Sequence, residues 1–195
     1  LLGLLDGVLV RDATPEFGWS QPQDISRYHL QVARDEAFGD ILLDESGYDK
    51  VRYTPASDLE AGRYYWRVAS VESSGKEGPW SDAAAFEYRA VPDMPQIEAP
   101  ALGEDELVFR WRSAGEGLEY QFQFGTDPEF GQVDIDRTVG EPGVRIDRPA
   151  PDRYHFRVRA IDDTGYAGPW STVQSLEVSG SIWTILAPLG LLLLL

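Results

Sequence analysis

Tyr28-His29-Leu30-Gln31-Val32 is the stretch on which the reading of this chain turns. Tyr28, Leu30 and Val32 alternate with His29, Gln31 and Ala33, the two-residue period of a strand with one buried and one wet face. The pattern returns 92 residues later as Tyr120-Gln121-Phe122-Gln123-Phe124. Each copy is followed by an aspartate and a Phe-Gly pair, Asp35 with Phe38-Gly39 and Asp127 with Phe130-Gly131. Farther along, Arg63-Tyr64-Tyr65-Trp66-Arg67-Val68 returns as Arg153-Tyr154-His155-Phe156-Arg157-Val158, and Gly78-Pro79-Trp80-Ser81 as Gly168-Pro169-Trp170-Ser171. These later segments are offset by 90 residues, so one loop differs by two. A period this long is a duplicated domain rather than a solenoid repeat of roughly 20–50 residues.

Both copies read as strands. Tyr64, Trp66 and Val68 alternate with Tyr65 and Arg67, and Tyr154, Phe156 and Val158 repeat them. Short runs at 16–20, 41–44, 51–54 and 83–88 add strands between Gly, Pro and Asp turns. No helical period is sustained within either copy. The expectation is an all-β chain of two tandem sandwiches over residues 6–89 and 96–178. A stiff proline-containing linker, Ala90-Val91-Pro92-Asp93-Met94-Pro95, is expected between them. A hydrophobic tail is expected over 179–195.

At 195 residues the chain suits two sandwiches of about 100 residues each. Its net charge is −16, from 33 acidic and 17 basic residues, a surface that repels phosphate and argues against nucleic acid as a partner. Solubility is the ordinary use of such charge, and a cation or basic partner is the other. Cysteine is absent, which excludes disulfides, thiolate nucleophiles and cysteine metal sites. Asparagine is absent too, which excludes N-glycosylation. Arginine outnumbers lysine fifteen to two, a bias we read as that of a GC-rich bacterial genome. The chain opens on Leu1 with no basic segment ahead of an apolar run, so we expect further sequence upstream.

Leu59-Glu60-Ala61-Gly62-Arg63-Tyr64 followed by Trp66-Arg67-Val68-Ala69 resembles the turn and strand of the fibronectin type III family. The resemblance covers residues 6–178 and implies immunoglobulin-like sandwiches. It implies that Tyr64, and its counterpart Tyr154, bond back to nearby backbone at the corner between two strands. Trp66 and Phe156 are then structural core residues. The second copy departs from the motif, with Pro149-Ala150-Pro151-Asp152 in place of the Leu-x-x-Gly turn. Segments 31–38 and 123–130 resemble the bacterial variety of this family, found in cell-envelope proteins including FecR-like and LysM-containing chains. That likeness implies a periplasmic or membrane-anchored envelope location. Neither of those accompanying domains is recognisable here.

No catalytic constellation is expected. His29 and His155 sit at out-facing positions of non-equivalent strands, without a nucleophile motif nearby. Asp162-Asp163-Thr164-Gly165 and Asp134-Ile135-Asp136 are the densest acidic groups of the second copy, but lack the spaced loop of an EF-hand. We expect turn chemistry there, and neither metal nor cofactor. Arg67 and Arg157 fall on the outer phase of strands beside Trp80 and Trp170. The expected arrangement stacks Arg67 on Trp80 and Arg157 on Trp170. Burial of both tryptophans in the core, or their use as ligand-binding aromatics, are the other readings. Tyr65, and Tyr48 in a loop, are candidates for a sugar platform.

Residues 178–195 carry no charge. An 18-residue helix would span about 27 Å, against a hydrocarbon core of about 30 Å, and Pro188 and Gly190 interrupt it. A membrane anchor is the expectation, and a processed end the alternative. The function expected is a non-catalytic binding or spacer module meeting a protein or cell-wall partner. The alternative is a pair of carbohydrate-binding accessory domains of a larger enzyme.

Overall fold

The computed structural model describes residues 4, 6–23 and 25–180. Every named element among them is a strand. The chain divides into two compact units between Val91 and Pro92, each with its own apolar core.

In the first unit, β1 (Val8–Val10), β8 (Ala84–Tyr88), β6 (Gly62–Val71), β3 (Arg27–Ala33) and β4 (Ile41–Tyr48) form one sheet in that order, with β7 (Glu77–Trp80) on β6. It faces a small sheet of β2 (Phe17–Gly18) and β5 (Arg52–Tyr53). Alternation builds the core directly: Tyr28, Leu30, Val32, Tyr64 and Trp66 point inward and meet Phe17 and Trp19 from the opposite sheet. Phe17 stands edge-on to both Trp66 and Phe86. The core reaches upstream of the expected start at residue 6, since Leu4 is buried and its carbonyl accepts from the Trp66 indole at 3.1 Å.

The second unit repeats the plan more fully. β13 (Ile135–Val139), β12 (Glu119–Gly125), β15 (Asp152–Ile161) and β16 (Gln174–Val178) form one sheet. β10 (Ala101–Leu102), β11 (Glu106–Arg112) and β14 (Gly143–Asp147) form the other, with β9 (Gln96–Ile97) on β11. Phe109 anchors its core against Phe122, Phe124 and Phe156. Truncating so central a ring to alanine removes about 3–5 kcal/mol.

The units differ in ways that the repeat did not disclose. The first strand of unit one, β1, crosses to the larger sheet and runs parallel to β8, whereas β9 and β10 stay antiparallel to β11. In unit one β5 shrinks to two residues where β14 has five. The expected linker residues Pro92 and Pro95 are buried, and the Pro92 carbonyl lies so close to Gly168 that a Cβ there would approach it to 2.4 Å. Only glycine fits at 168. The hydrophobic tail from 181 onward lies outside the described residues. Among those described, no helix is long and apolar enough to cross a membrane.

Candidate functional site

The two Gly-Pro-Trp-Ser segments share one geometry. The Ser81 hydroxyl accepts from the Val68 amide at 3.1 Å, and its own amide donates to the Val68 carbonyl at 2.9 Å. Ser171 does the same for Val158. One serine thus satisfies both backbone groups of the longest strand at the point where its neighbour changes. The tryptophan just before it lies half-buried on the outer sheet face.

Arg67 then stacks between two rings. Its guanidinium carbon is 4.4 Å from the Trp80 centroid and 3.9 Å from that of Phe38. Arg157 repeats this with Trp170 and Phe130, at 4.2 Å each. Its edge is also used: Nε and Nη2 of Arg67 donate to Oε1 of the buried Gln31, at 3.0 and 2.7 Å. Arg157 Nε donates to Gln123 in the same way. The reading that buried the tryptophans in the core does not describe this face, where both are half-buried.

Phe38 and Phe130, which sequence reasoning left without a role, reach the arginines from the turn after β3 and β12. Each has a left-handed backbone, with φ of 58° and 57°. The preceding aspartate holds the turn: Asp35 accepts from the amides of Gly39 and Asp40, and Asp127 from those of Glu129 and Gln132. These backbone donors lower the pKa of both carboxyls. The repeated Asp-x-x-Phe-Gly spelling was the visible signal.

At the next cross-strand pair the units exchange roles. Gln121 pairs with Arg159 in unit two, and Arg159 adds a second guanidinium 4.4 Å from Trp170. In unit one the equivalent pair is His29 with Ala69, and the His29 ring lies 4.8 Å from Trp80. Nδ1 of His29 meets Glu77 at 2.6 Å, and Nε2 meets Asp44. Burial opposes protonation of this ring, but the hydrogen bonds and charges of Asp44 and Glu77 outweigh it and raise its pKa. His29 is therefore a cross-link of β3, β4 and β7. His155 lies half-buried on β15, opposite Gly125 and Ser175.

The corner tyrosines are both closed. The Tyr64 hydroxyl donates to the Glu60 carbonyl at 2.7 Å, and that of Tyr154 to Ala150 at 3.1 Å, across the Pro-Ala-Pro-Asp turn. Trp66 and Phe156 are buried beside them in the cores. Asp162 accepts from the amides of Thr164 and Tyr166, and Gly165 turns at φ 80° as Gly75 does at 85°. Asp136 takes Gln121 and Gln123. No cluster of three or more metal-ligating side chains occurs among the described residues. Tyr48 is not in a loop but ends β4, packed on Trp19 and Tyr53, and Tyr65 lies under Arg63 on β6. They build no shared platform.

A groove of about 290 Å³ opens in unit one, between β4 and the segment after β5. Phe17 and Val32 line it from the core, Leu42 and Leu43 from β4, and Pro55 and Leu59 from the other side. Glu45 and Asp58 contribute its charges.

This architecture defines a tandem pair of fibronectin type III-like, immunoglobulin-type β-sandwiches. No family model and no curated protein matches the chain. Among solved structures it is similar to the FN1–FN3 domains of chicken CNTN1, a contactin, with TM-score 0.43 and 17% identity over 90% of this chain. The chain spans 63% of the length of that fragment. It is similar also to a two-domain fibronectin type III segment of chicken tenascin, with TM-score 0.49 and 11% identity over 86% of this chain and 94% of that one.

Proposed function

We propose that the chain is a non-catalytic binding and spacer module of a bacterial envelope protein, holding its sandwiches toward a protein or cell-wall partner. The observation that carries this reading is the duplicated outer face, where Phe38–Arg67–Trp80 and Phe130–Arg157–Trp170 lock the strands into one another. A polar face engaged in its own stacking stiffens a module. The bacterial setting is supported by the composition and by the resemblance of segments 31–38 and 123–130. The apolar run Ile182–Leu195 supports attachment to a membrane. Carbohydrate binding has less support, because Tyr48 and Tyr65 are engaged in separate packings.

The test is expression of the full chain in a Gram-negative host, followed by envelope fractionation and sedimentation with purified peptidoglycan sacculi. The expected result is envelope localisation with retention by sacculi or by an envelope protein. Glycan-array binding abolished by Tyr65→Ala would favour the accessory role instead. A cytosolic protein indifferent to every envelope fraction would overturn the proposal.

A further inference from the structure

Glu45 and Arg137 occupy the same place in the two units. Glu45 pairs with Leu30 on β3, Arg137 with Phe122 on β12, and both lie 92 residues apart like the strands that carry them. In unit two the Arg137 guanidinium crosses the gap between sheets and donates to the Arg145 carbonyl on β14 at 3.2 Å. In unit one a carboxylate stands there instead. Glu45 can only accept, and it takes the Tyr53 hydroxyl at 3.3 Å. The shortened β5 leaves the groove beside it.

β4 is also a sheet edge, pairing with β3 alone. Its register slips at Val32/Ala33, and Leu42, which falls in that slip, stands exposed beside the groove. An edge bearing an inward-pointing charge is protected against indiscriminate strand pairing, because a neutral or acidic strand added there would bury the carboxylate unpaired. A strand that brings its own cation escapes that penalty.

We propose that β4 and its groove take an extended segment of a partner protein, added as a strand beside Ile41–Tyr48. Its chemistry is set by the period of two. One apolar side chain enters the groove near Leu43, and a Lys or Arg two residues along in the segment faces Glu45. A volume of about 290 Å³ holds one or two side chains, and lies just under the range of about 300–1,000 Å³ usual for small-molecule sites. The cation follows from the chain itself, since unit two sets a guanidinium at the equivalent position and bonds it to the β14 backbone. A second copy of this chain fits poorly, because pairing β4 with β4 would bring Asp40, Asp44 and Glu45 against one another. The inference rests on the binding reading above and names the partner's chemistry.

The experiment titrates the ¹⁵N-labelled full chain with acetyl-Thr-Leu-Thr-Arg-Thr-Val-Thr-amide and with the same peptide carrying Glu for Arg. Amide shifts are expected along Ile41–Tyr48 and around Tyr53–Leu59, with the arginine peptide only. Glu45→Gln should weaken binding roughly two- to fivefold, as for a half-exposed ion pair. Glu45→Arg, which copies unit two, should abolish it while leaving the rest of the spectrum native. Shifts scattered over acidic surface and indifferent to Glu45→Arg would overturn the proposal, as would no shift at β4, or self-association of the chain through that edge. Sacculus sedimentation reports separately on the wider binding reading, so the two can fail apart.

Discussion

Phe38 lies over Arg67 with 3.9 Å between guanidinium carbon and ring centroid, and it does so from a left-handed backbone. Any residue with a Cβ is strained there by roughly 1–2 kcal/mol. The ring's burial and its cation–π contact, worth about 0.5–2 kcal/mol, are what hold it. Alanine would keep the strain and lose the ring, whereas glycine would lose both. Phe38→Ala should therefore be less stable than Phe38→Gly by about 1 kcal/mol, the reverse of the usual order. Urea unfolding of both variants checks this, with Phe130 as an internal repeat of the experiment.

Arg67 joins a ring stack to a buried amide, so its replacements should separate the two roles. Arg67→Ala leaves Gln31 Oε1 buried without its donors, a loss of about 1–3 kcal/mol beyond that of the stacking. Arg67→Lys keeps the charge but cannot donate through a planar fork while lying flat on Trp80. Lysine should recover less than half of the stability lost with alanine, and both variants should alter Trp80 emission. Unchanged melting curves and spectra for Arg67→Ala would refute this account of the face.

The legible part of this structure was local. Alternation at Tyr28–Val32 and Tyr120–Phe124 displays a period that depends only on neighbours in the chain, so strands and inward faces could be read at once. The stacking of Arg67 on Trp80 was reachable because adjacent strands in this fold bring fixed phases together. Phe38 was not, although its letters repeat, because its ring reaches Arg67 only after Asp35 has forced a left-handed turn. β1 escaped notice since Val8-Leu9-Val10 is brief and its parallel partner β8 is remote in sequence. Glu45 shows its meaning only beside Arg137, and only once the register of β4 is known.

The two tyrosine corners offer a matched comparison. Tyr64 closes over Glu60 in a Leu-x-x-Gly-like turn, and Tyr154 over Ala150 in a Pro-Ala-Pro-Asp turn. Each hydroxyl bond is an ordinary neutral one, worth about 0.5–1.5 kcal/mol. Tyr64→Phe and Tyr154→Phe should each cost that much, with the two values within about 0.5 kcal/mol of each other. Prolines at 149 and 151 stiffen the second turn before folding, so removing its hydroxyl should not open it. Thermal unfolding of the two variants measures the difference directly.

His29 makes the first unit sensitive to pH. Burial of the ring works against its charge, but Asp44 and Glu77 on either side outweigh burial and raise its pKa. A pKa raised on folding means that the folded chain holds the proton more tightly. The stabilisation is therefore complete below the ordinary histidine pKa of about 6.5 and disappears as pH climbs through the higher folded value. Asp44 behaves oppositely: its pKa is lowered, first by the His29 hydrogen bond, so protonation breaks the clamp only far into acid. Urea midpoints for the first unit should thus fall between pH 6 and 9, and His29→Gln, which installs the residue found at Gln121, should flatten that slope. An NMR titration should place the His29 ring protons above the ordinary value, and a slope that persists in His29→Gln would assign the dependence elsewhere.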